Sequence, residues 1–270
     1  MKFLKFVLIS ISIILLSSCV RYKIEKSTRN FASHYRPSIN LENAANILVN
    51  PLHYNSCTAK SVTDMDLSAK EMAENGYLLV GETLFAKDRY PIRAANNHCG
   101  DIGAEIVLFN SQIISSTSKS MTVLTPQVSF ATTTYQGQVG NYIGSSNTTF
   151  TQYVPQNINW HVNTYRNWAT YWVFGKPPIL GAYYGELSDE KKYEAETNSG
   201  AYLYLIVNDS PAFYNDLLVG DVVTKIDGQK VIKPNDITEI LKEKAGQDIV
   251  LNIVRKGEAR EIRLKLNPAY

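Results

Sequence analysis

The chain has 270 residues, of which 44% are hydrophobic and 11% aromatic. This composition excludes a disordered protein, and the length suits one large domain or two small ones. The net charge of +2 falls to zero if Lys2 and Lys5 are removed with the amino-terminal segment. A neutral protein lacks the concentrated basic residues that displace counterions from phosphates, so we expect no nucleic-acid partner.

Residues 1–18 have the pattern of a secretory signal peptide. Two lysines precede an uncharged apolar run, Phe6–Leu16, which is shorter than the ~20 apolar residues of a membrane-spanning helix. The run is followed by Ser17, Ser18 and Cys19. An ordinary cleaved signal with an incidental cysteine is one interpretation of this ending.

The sequence Leu16-Ser17-Ser18-Cys19 also resembles the lipobox of bacterial lipoproteins. This resemblance implies cleavage before Cys19, a diacylglyceryl group on its sulfur and a further acyl chain, such as palmitate, on its amine. Several acyl chains anchor a protein stably in a membrane. Val20 in place of an acidic residue favours the outer membrane. We therefore expect a lipid-anchored envelope protein.

Two further cysteines, Cys57 and Cys99, would lie in a compartment where disulfides persist. A disulfide between them and two separate thiols are equally compatible with the sequence. A third alternative is a zinc site that adds His53 and His98, but these spacings match no familiar zinc motif. We predict no metal and no cofactor.

The first part of the mature chain predicts a lipidated tether over residues 19–62, followed by an α+β domain over residues 63–177. Asp66 can cap a helix that ends at Gly76, and Tyr77–Phe85 has the composition of a strand. A second helix over Ile92–Gly103 and a second strand over Ala104–Phe109 follow.

An insertion at about residues 120–165 interrupts this domain. No charged residue occurs between Lys119 and Arg166, and the segment is rich in Thr, Ser, Asn, Gln and Tyr. We predict a long β-hairpin, which is either a contact surface for glycan or protein or an extension of the sheet with poorly protected edges. Four aromatic residues then recur at helical spacing and predict a packed helix face, namely Tyr165, Trp168, Tyr171 and Trp172.

The last third of the chain carries an ordered series of strand, turn and helix signals. Gly200–Val207 predicts a strand, and Ser210-Pro211-Ala212 begins a short helix with proline at its permissive first position. Gly220 permits a turn into the strand Val222–Ile226, and Asp227-Gly228 is suited to a hairpin turn. A helix and two strands complete the series, at Pro234–Ala245, Ile249–Val254 and Glu261–Leu266.

This series resembles a PDZ domain, in the circularly permuted form that follows periplasmic high-temperature-requirement serine proteases. The resemblance rests on Ser-Pro-Ala followed by Gly-Asp-Val-Val-x-x-Ile-Asp-Gly. It implies a small β-barrel or sandwich with two helices over residues 178–270. Asp216 stands where the family usually has glycine, and aspartate tolerates the left-handed conformation better than most residues.

The same resemblance implies a peptide-binding groove. Leu180, Gly181 and Ala182 would offer backbone N–H groups to a terminal carboxylate, and the peptide would add as a strand beside Tyr184. Its last side chain would enter a pocket lined by Leu180, Ala182, Thr238 and Leu241. Pro234 stands where many eukaryotic relatives have a ligand-selecting histidine, so we expect an apolar ligand. Tyr184 could instead plug the groove.

No common catalytic motif occurs in the chain. The related proteases have a Ser-His-Asp triad with serine in a Gly-x-Ser-Gly context, which is missing here, as are common metal-, phosphate- and dinucleotide-binding motifs. A Cys99 nucleophile with His53 or His161 is a weak alternative.

The sequence therefore predicts a non-catalytic adaptor that holds the C-terminus or an exposed strand of another envelope protein. The alternative is a structural or surface-contact lipoprotein that acts through the uncharged insertion, with the PDZ unit only a packing module.

Overall fold

A computed structural model describes residues 23–39, 47–49, 56–136 and 143–269. The signal segment, Cys19 and His53 lie outside these residues. The chain forms two compact units, one of residues up to Gln112 together with Arg166–Tyr270, and one of Ile113–Tyr165. Among the helices described, none is both long and apolar enough to cross a membrane.

The amino-terminal part is built on one five-stranded sheet with strand order β1-β3-β5-β4-β2. β2 runs parallel to β4, and β1 runs antiparallel to β3. The elements are α1 (residues 23–33), β1 (Tyr35–Pro37), β2 (Thr58–Ser61), α2 (Met65–Glu74), β3 (Tyr77–Lys87), α3 (Ile92–Asp101), β4 (Ile106–Gln136) and β5 (Ile143–Phe174).

Residues from the predicted tether take part in this sheet. The segment supplies α1, β1 and β2, and Phe31 of α1 is fully buried against Phe85 and Phe109. Helix α2 begins two residues earlier than Asp66 predicted, because the Asp64 carboxylate accepts the Leu67 N–H at 3.0 Å.

The prediction of an aromatic helix face is wrong, because all four aromatic residues lie in strand β5. Side chains of a strand alternate between its faces. Tyr171 therefore packs in one core with Phe31 and α3, whereas Trp168 and Trp172 pack in a second core with α2. Because both faces of this part of β5 are covered, its sequence shows no alternation of apolar and polar side chains.

Strands β4 and β5 extend far beyond the sheet. Residues 113–165 form a separate two-stranded unit from these extensions, as the uncharged insertion predicted. The two strands are hydrogen-bonded neighbours.

The carboxy-terminal part contains a six-stranded open sheet with order β11-β10-β8-β7-β6, and β9 pairs with β8. Its core includes Leu203, Ile226, Ile237 and Leu251, all fully buried. The elements are β6 (Ala182–Gly185), α4 (Asp189–Glu194), β7 (Ala201–Ile206), α5 (Pro211–Tyr214), β8 (Val222–Ile226), β9 (Gln229–Lys230), α6 (Pro234–Glu243), β10 (Asp248–Arg255) and β11 (Glu258–Lys265).

Turn chemistry positions these elements as the sequence indicated. Ser210 caps α5 by accepting the Phe213 N–H, with Pro211 at the first helical position. Asp227 and Gly228 both have positive φ between β8 and β9. Asp216 has a φ of 55°, which confirms that aspartate adopts the left-handed conformation at this turn.

A buried ion pair fixes the β7–β8 connection to β10. The Asp221 side chain is 1% exposed, and its carboxylate accepts two 2.7 Å hydrogen bonds from Arg255. Arg255 also donates to the Asp216 carbonyl at 2.7 Å. The hydrogen bonds that Arg255 donates to the Asp221 carboxylate raise the pKa of Arg255 above its ordinary value.

Candidate functional site

The candidate site is the groove between strand β6 and helix α6. β6 pairs with β7 on one side only and is the last strand of its sheet. An edge strand presents unpaired N–H and C=O groups to any extended chain that approaches it. This is the edge at which the PDZ resemblance predicts that a peptide adds as a further strand.

The carbonyl oxygens of the loop before β6 accept hydrogen bonds from other parts of the domain. Asn267 donates its side-chain amide to Pro178 O at 2.9 Å and its backbone N–H to Ile179 O at 3.0 Å. Leu180 O accepts the Ala212 N–H at 2.9 Å, and Gly181 O accepts the Val207 N–H at 2.8 Å.

These bonds orient the N–H groups of the loop. In a planar trans peptide the N–H points opposite to the preceding C=O. Because the carbonyls of residues 179, 180 and 181 face the domain, the N–H groups of Leu180, Gly181 and Ala182 face away from those partners. Three consecutive amides of this kind can hold one anionic group.

Gly181 is required at its position by conformation and by space. Its φ is +81°, which L side chains rarely adopt, and a Cβ there would collide with the Ser210 side chain. Substitution of Gly181 would therefore disturb the loop itself, and binding defects of such a variant would not report on the groove alone.

The other predicted groove residues converge around one side chain. Leu180 and Leu241 are buried in the core, and Ala182 and Tyr184 pack against it half-buried. The Tyr184 hydroxyl lies 2.6 Å from the Thr238 Oγ1 atom, so a hydrogen bond joins β6 to α6. Burial raises the pKa of Tyr184, and the hydroxyl therefore stays protonated at neutral pH.

The remaining sequence candidates lie in the amino-terminal part. Cys57 and Cys99 form a disulfide with Cα atoms 5.9 Å apart. Both sulfurs are thereby occupied and cannot act as zinc ligands or as a nucleophile. Within the described residues, no group of three or more His, Cys, Asp or Glu could hold a metal ion.

Two features of the carboxy-terminal part were not predicted from the sequence. Helix α4 is one of them, because it is short and charged. Its signal is Ser188, a capping residue that accepts the Lys191 N–H at 3.2 Å. The Tyr184–Thr238 hydrogen bond joins residues 54 positions apart, and no local pattern indicates it.

The fold and the loop define the carboxy-terminal part as a PDZ domain. Residues 180–266 match the PDZ domain family, and the domain resembles those of HtrA-type proteases. The chain is 30% identical over 100 residues to the magnetosome formation protease MamE of Paramagnetospirillum magneticum. It is also 30% identical over 91 residues to a probable periplasmic serine protease, do/HhoA-like, of Haemophilus influenzae.

The matches to these two relatives cover a limited part of both proteins. They span 35% and 33% of this chain but only 14% and 20% of the two relatives. Among solved structures, the HtrA3 PDZ domain bound to a phage-derived ligand is 17% identical, with a TM-score of 0.30, over 33% of this chain and 84% of that one. The HtrA-type protease AlgW with a decapeptide is 18% identical, with a TM-score of 0.30, over 36% of each chain.

Proposed function

We propose that this protein is a non-catalytic, lipid-anchored adaptor of the cell envelope, whose PDZ domain binds the C-terminus or an exposed β-strand of another envelope protein. The observation that carries the proposal is the open edge of β6 next to three loop amides that face away from the domain. The matches to the two proteases fall in the PDZ region alone, which supports a binding role.

The binding mode follows from this geometry. A peptide would extend the sheet by pairing with β6, and its terminal carboxylate would accept hydrogen bonds from the N–H groups of Leu180, Gly181 and Ala182. Its last side chain would pack against Leu180, Ala182, Thr238 and Leu241, where the surrounding surface is apolar. We therefore expect a ligand that ends in an apolar residue.

Tyr184 sets a condition on this binding. Its hydroxyl bridges β6 and α6 at 2.6 Å, across the place where the last side chain would enter. The tyrosine must rotate away or share the pocket, and losing one neutral hydrogen bond costs about 0.5–1.5 kcal/mol. This cost is small beside a peptide-binding free energy, so Tyr184 would tune affinity without preventing binding.

The membrane anchor is the second part of the proposal. It rests on the lipobox resemblance at Cys19 and on the residue that follows it, and on this basis we propose an outer-membrane location. One relative is itself named as periplasmic, which supports an envelope location. Mass spectrometry of the amino-terminal peptide, isolated from membranes, would show the acyl chains on Cys19.

A library of peptides with free C-termini, selected on the full chain from residue 20, tests the groove. Thr238→Arg puts a long side chain into the groove from a half-buried helix position, whereas Asn235→Arg adds the same charge on the exposed side of α6. We expect selected peptides to lose at least tenfold in affinity with Thr238→Arg and to bind Asn235→Arg as they bind the parent.

Amidation of the peptide's C-terminus is the second arm of this experiment. Removing the carboxylate charge should weaken binding by a similar factor, because charge-assisted hydrogen bonds to the loop amides are lost. Peptides that bind equally well when amidated, and equally well to Thr238→Arg, would show that the groove is not the binding site.

A further inference from the structure

The amino-terminal part contains a cavity of about 630 Å³ beside helix α1. The loop from β3 to α3 and the neighbouring strands β2 and β4 form its other walls. This volume is within the range of small-molecule sites in proteins. The cavity shares no lining residue with the PDZ groove, so a ligand bound here would be a different one. Its lining residues are Lys23, Ile24, Ser61, Arg89, Tyr90, Pro91, Ile92, Phe109 and Ser111.

The lining combines apolar side chains with two cations. Phe109 is buried and Ile24 and Ile92 are half-buried, whereas Lys23 and Arg89 are exposed. Within the described part of the chain, neither cation forms an ion pair. Such a lining suits an amphiphile, because an anionic group can meet the cations while an apolar part covers the isoleucines.

Two more lysines add positive charge beside the cavity. The Lys87 ammonium group donates to the Asn30 side-chain oxygen at 3.1 Å, so Lys87 lies against α1. The Asn30 amide in turn donates to the Lys26 carbonyl at 3.0 Å, one helical turn earlier. The two lysines are therefore close to each other on α1 and to the end of β3.

Acidic residues do not cancel this charge. Glu25 is the one acidic residue among those described in α1, and it pairs with Arg29 of the same helix at 3.4 Å. Burial raises the pKa of Tyr90 in the cavity wall, the charge of Asp88 adds to the rise, and the charge of Lys26 opposes it. Both charges thus act at the cavity, where four cations face the single carboxylate of Asp88.

The proposed lipid anchor brings this surface close to a membrane, and this step rests on the proposed acylation of Cys19. Four residue steps separate Cys19 from Lys23. Even a fully extended chain of this length spans at most about 14 Å. The cavity therefore cannot lie far from the lipid headgroups, whose anionic phosphates attract nearby lysine and arginine side chains.

We propose that the cavity binds the headgroup of an anionic phospholipid of the membrane that holds the protein. Lys23 and Arg89 contact the lipid phosphate, and Ile24 and Ile92 contact the first carbons of its acyl chains. The anchor on Cys19 limits the distance from the membrane, and the bound headgroup determines which side of the amino-terminal part faces it.

Vesicle binding of the unlipidated full chain from residue 20 tests this inference without the anchor. We expect the parent to bind phosphatidylcholine vesicles only when they contain phosphatidylglycerol, and less as salt is added. Lys23→Glu and Arg89→Glu should each weaken this binding by about fivefold or more. The matched control Lys230→Glu makes the same change at an exposed position of the PDZ domain and should bind as the parent does.

A soluble lipid and inorganic phosphate separate a headgroup site from a site for any free anion. We expect short-chain dihexanoylphosphatidylglycerol to bind the parent more tightly than phosphate does, and Arg89→Glu to lose this binding. A parent that binds neither the vesicles nor the short-chain lipid overturns the inference. So does equal weakening by Lys230→Glu, or phosphate binding as tight as that of the lipid. Failure of the proposed anchor would appear separately, as an unmodified Cys19 in the mass spectrum.

Discussion

His98 is a buried histidine whose Nε2 atom has no hydrogen-bond partner in the described structure. Its ring lies edge-on to Tyr35 and Tyr171, with centroids 5.2 and 5.3 Å away. Desolvation by these rings lowers the pKa of His98 below its ordinary value of 6.5, and the charge of Asp101 opposes the shift. The native protein therefore keeps this imidazole neutral.

This burial makes the protein less stable in mild acid. As the pH falls below 6.5 the unfolded chain takes up a proton at His98, whereas the native state takes it up only at lower pH, so the free energy of unfolding decreases. Urea unfolding at one pH above 6.5 and one below it should show this loss. His98→Phe, which fits the same aromatic surroundings, should lose less stability over that interval, and an equal loss in both proteins would contradict the explanation.

At the scale of the elements, the disulfide joins edge strand β2 to helix α3. Cys57 directly precedes β2, Cys99 lies in α3, and the two are 42 residues apart. A cross-link over a loop of this length restricts the unfolded chain and stabilises the native state by about 4 kcal/mol in the chain-entropy model.

Reduction should therefore lower the urea midpoint of the parent. Cys57→Ala lacks the disulfide in both redox conditions, so its midpoint should equal that of the reduced parent in both. Cys57 is the better position to change because Cys99 is fully buried in the core. If a thiol assay shows both cysteines reduced and the parent midpoint is unchanged, the disulfide does not contribute to stability.

Elements with local signals were predictable from the sequence, and those that depend on distant contacts were not. Pro211, Asp227 and Gly228 act through their own backbone preferences, so α5 and the β8–β9 turn were placed correctly. Trp168 and Trp172 were assigned to a helix because a strand buried on both faces shows no alternation.

The carboxy-terminal part likewise contains features with a local sequence signal and features that depend on distant contacts. Gly181 was predicted as a loop glycine, and its positive φ is a local requirement of the chain. The Arg255–Asp221 pair and the Tyr184–Thr238 bond connect residues 34 and 54 positions apart, so the folded topology alone brings them together. Sequence patterns therefore identify the loop before β6, but they do not indicate that a Tyr184–Thr238 hydrogen bond joins the two sides of the groove.

At the scale of the whole molecule, the two-stranded unit Ile113–Tyr165 can be removed without cutting through the five-stranded sheet. Residues Gln112 and Arg166 stand side by side at its base, where the Arg166 guanidinium donates to the Gln112 amide oxygen at 3.1 Å. Replacing residues 113–165 by Asn-Gly, which favours a two-residue hairpin turn, would join these two strands directly. The buried cores of the remaining unit lose none of their residues.

This deletion tests whether the groove acts independently of the two-stranded unit. We expect a folded protein that binds the selected peptides with the parent's affinity, because the groove residues all belong to the remaining unit. Circular dichroism and peptide titration of the same sample measure the folding and the affinity. Loss of peptide binding by a folded protein would mean that the deleted residues contribute to ligand capture.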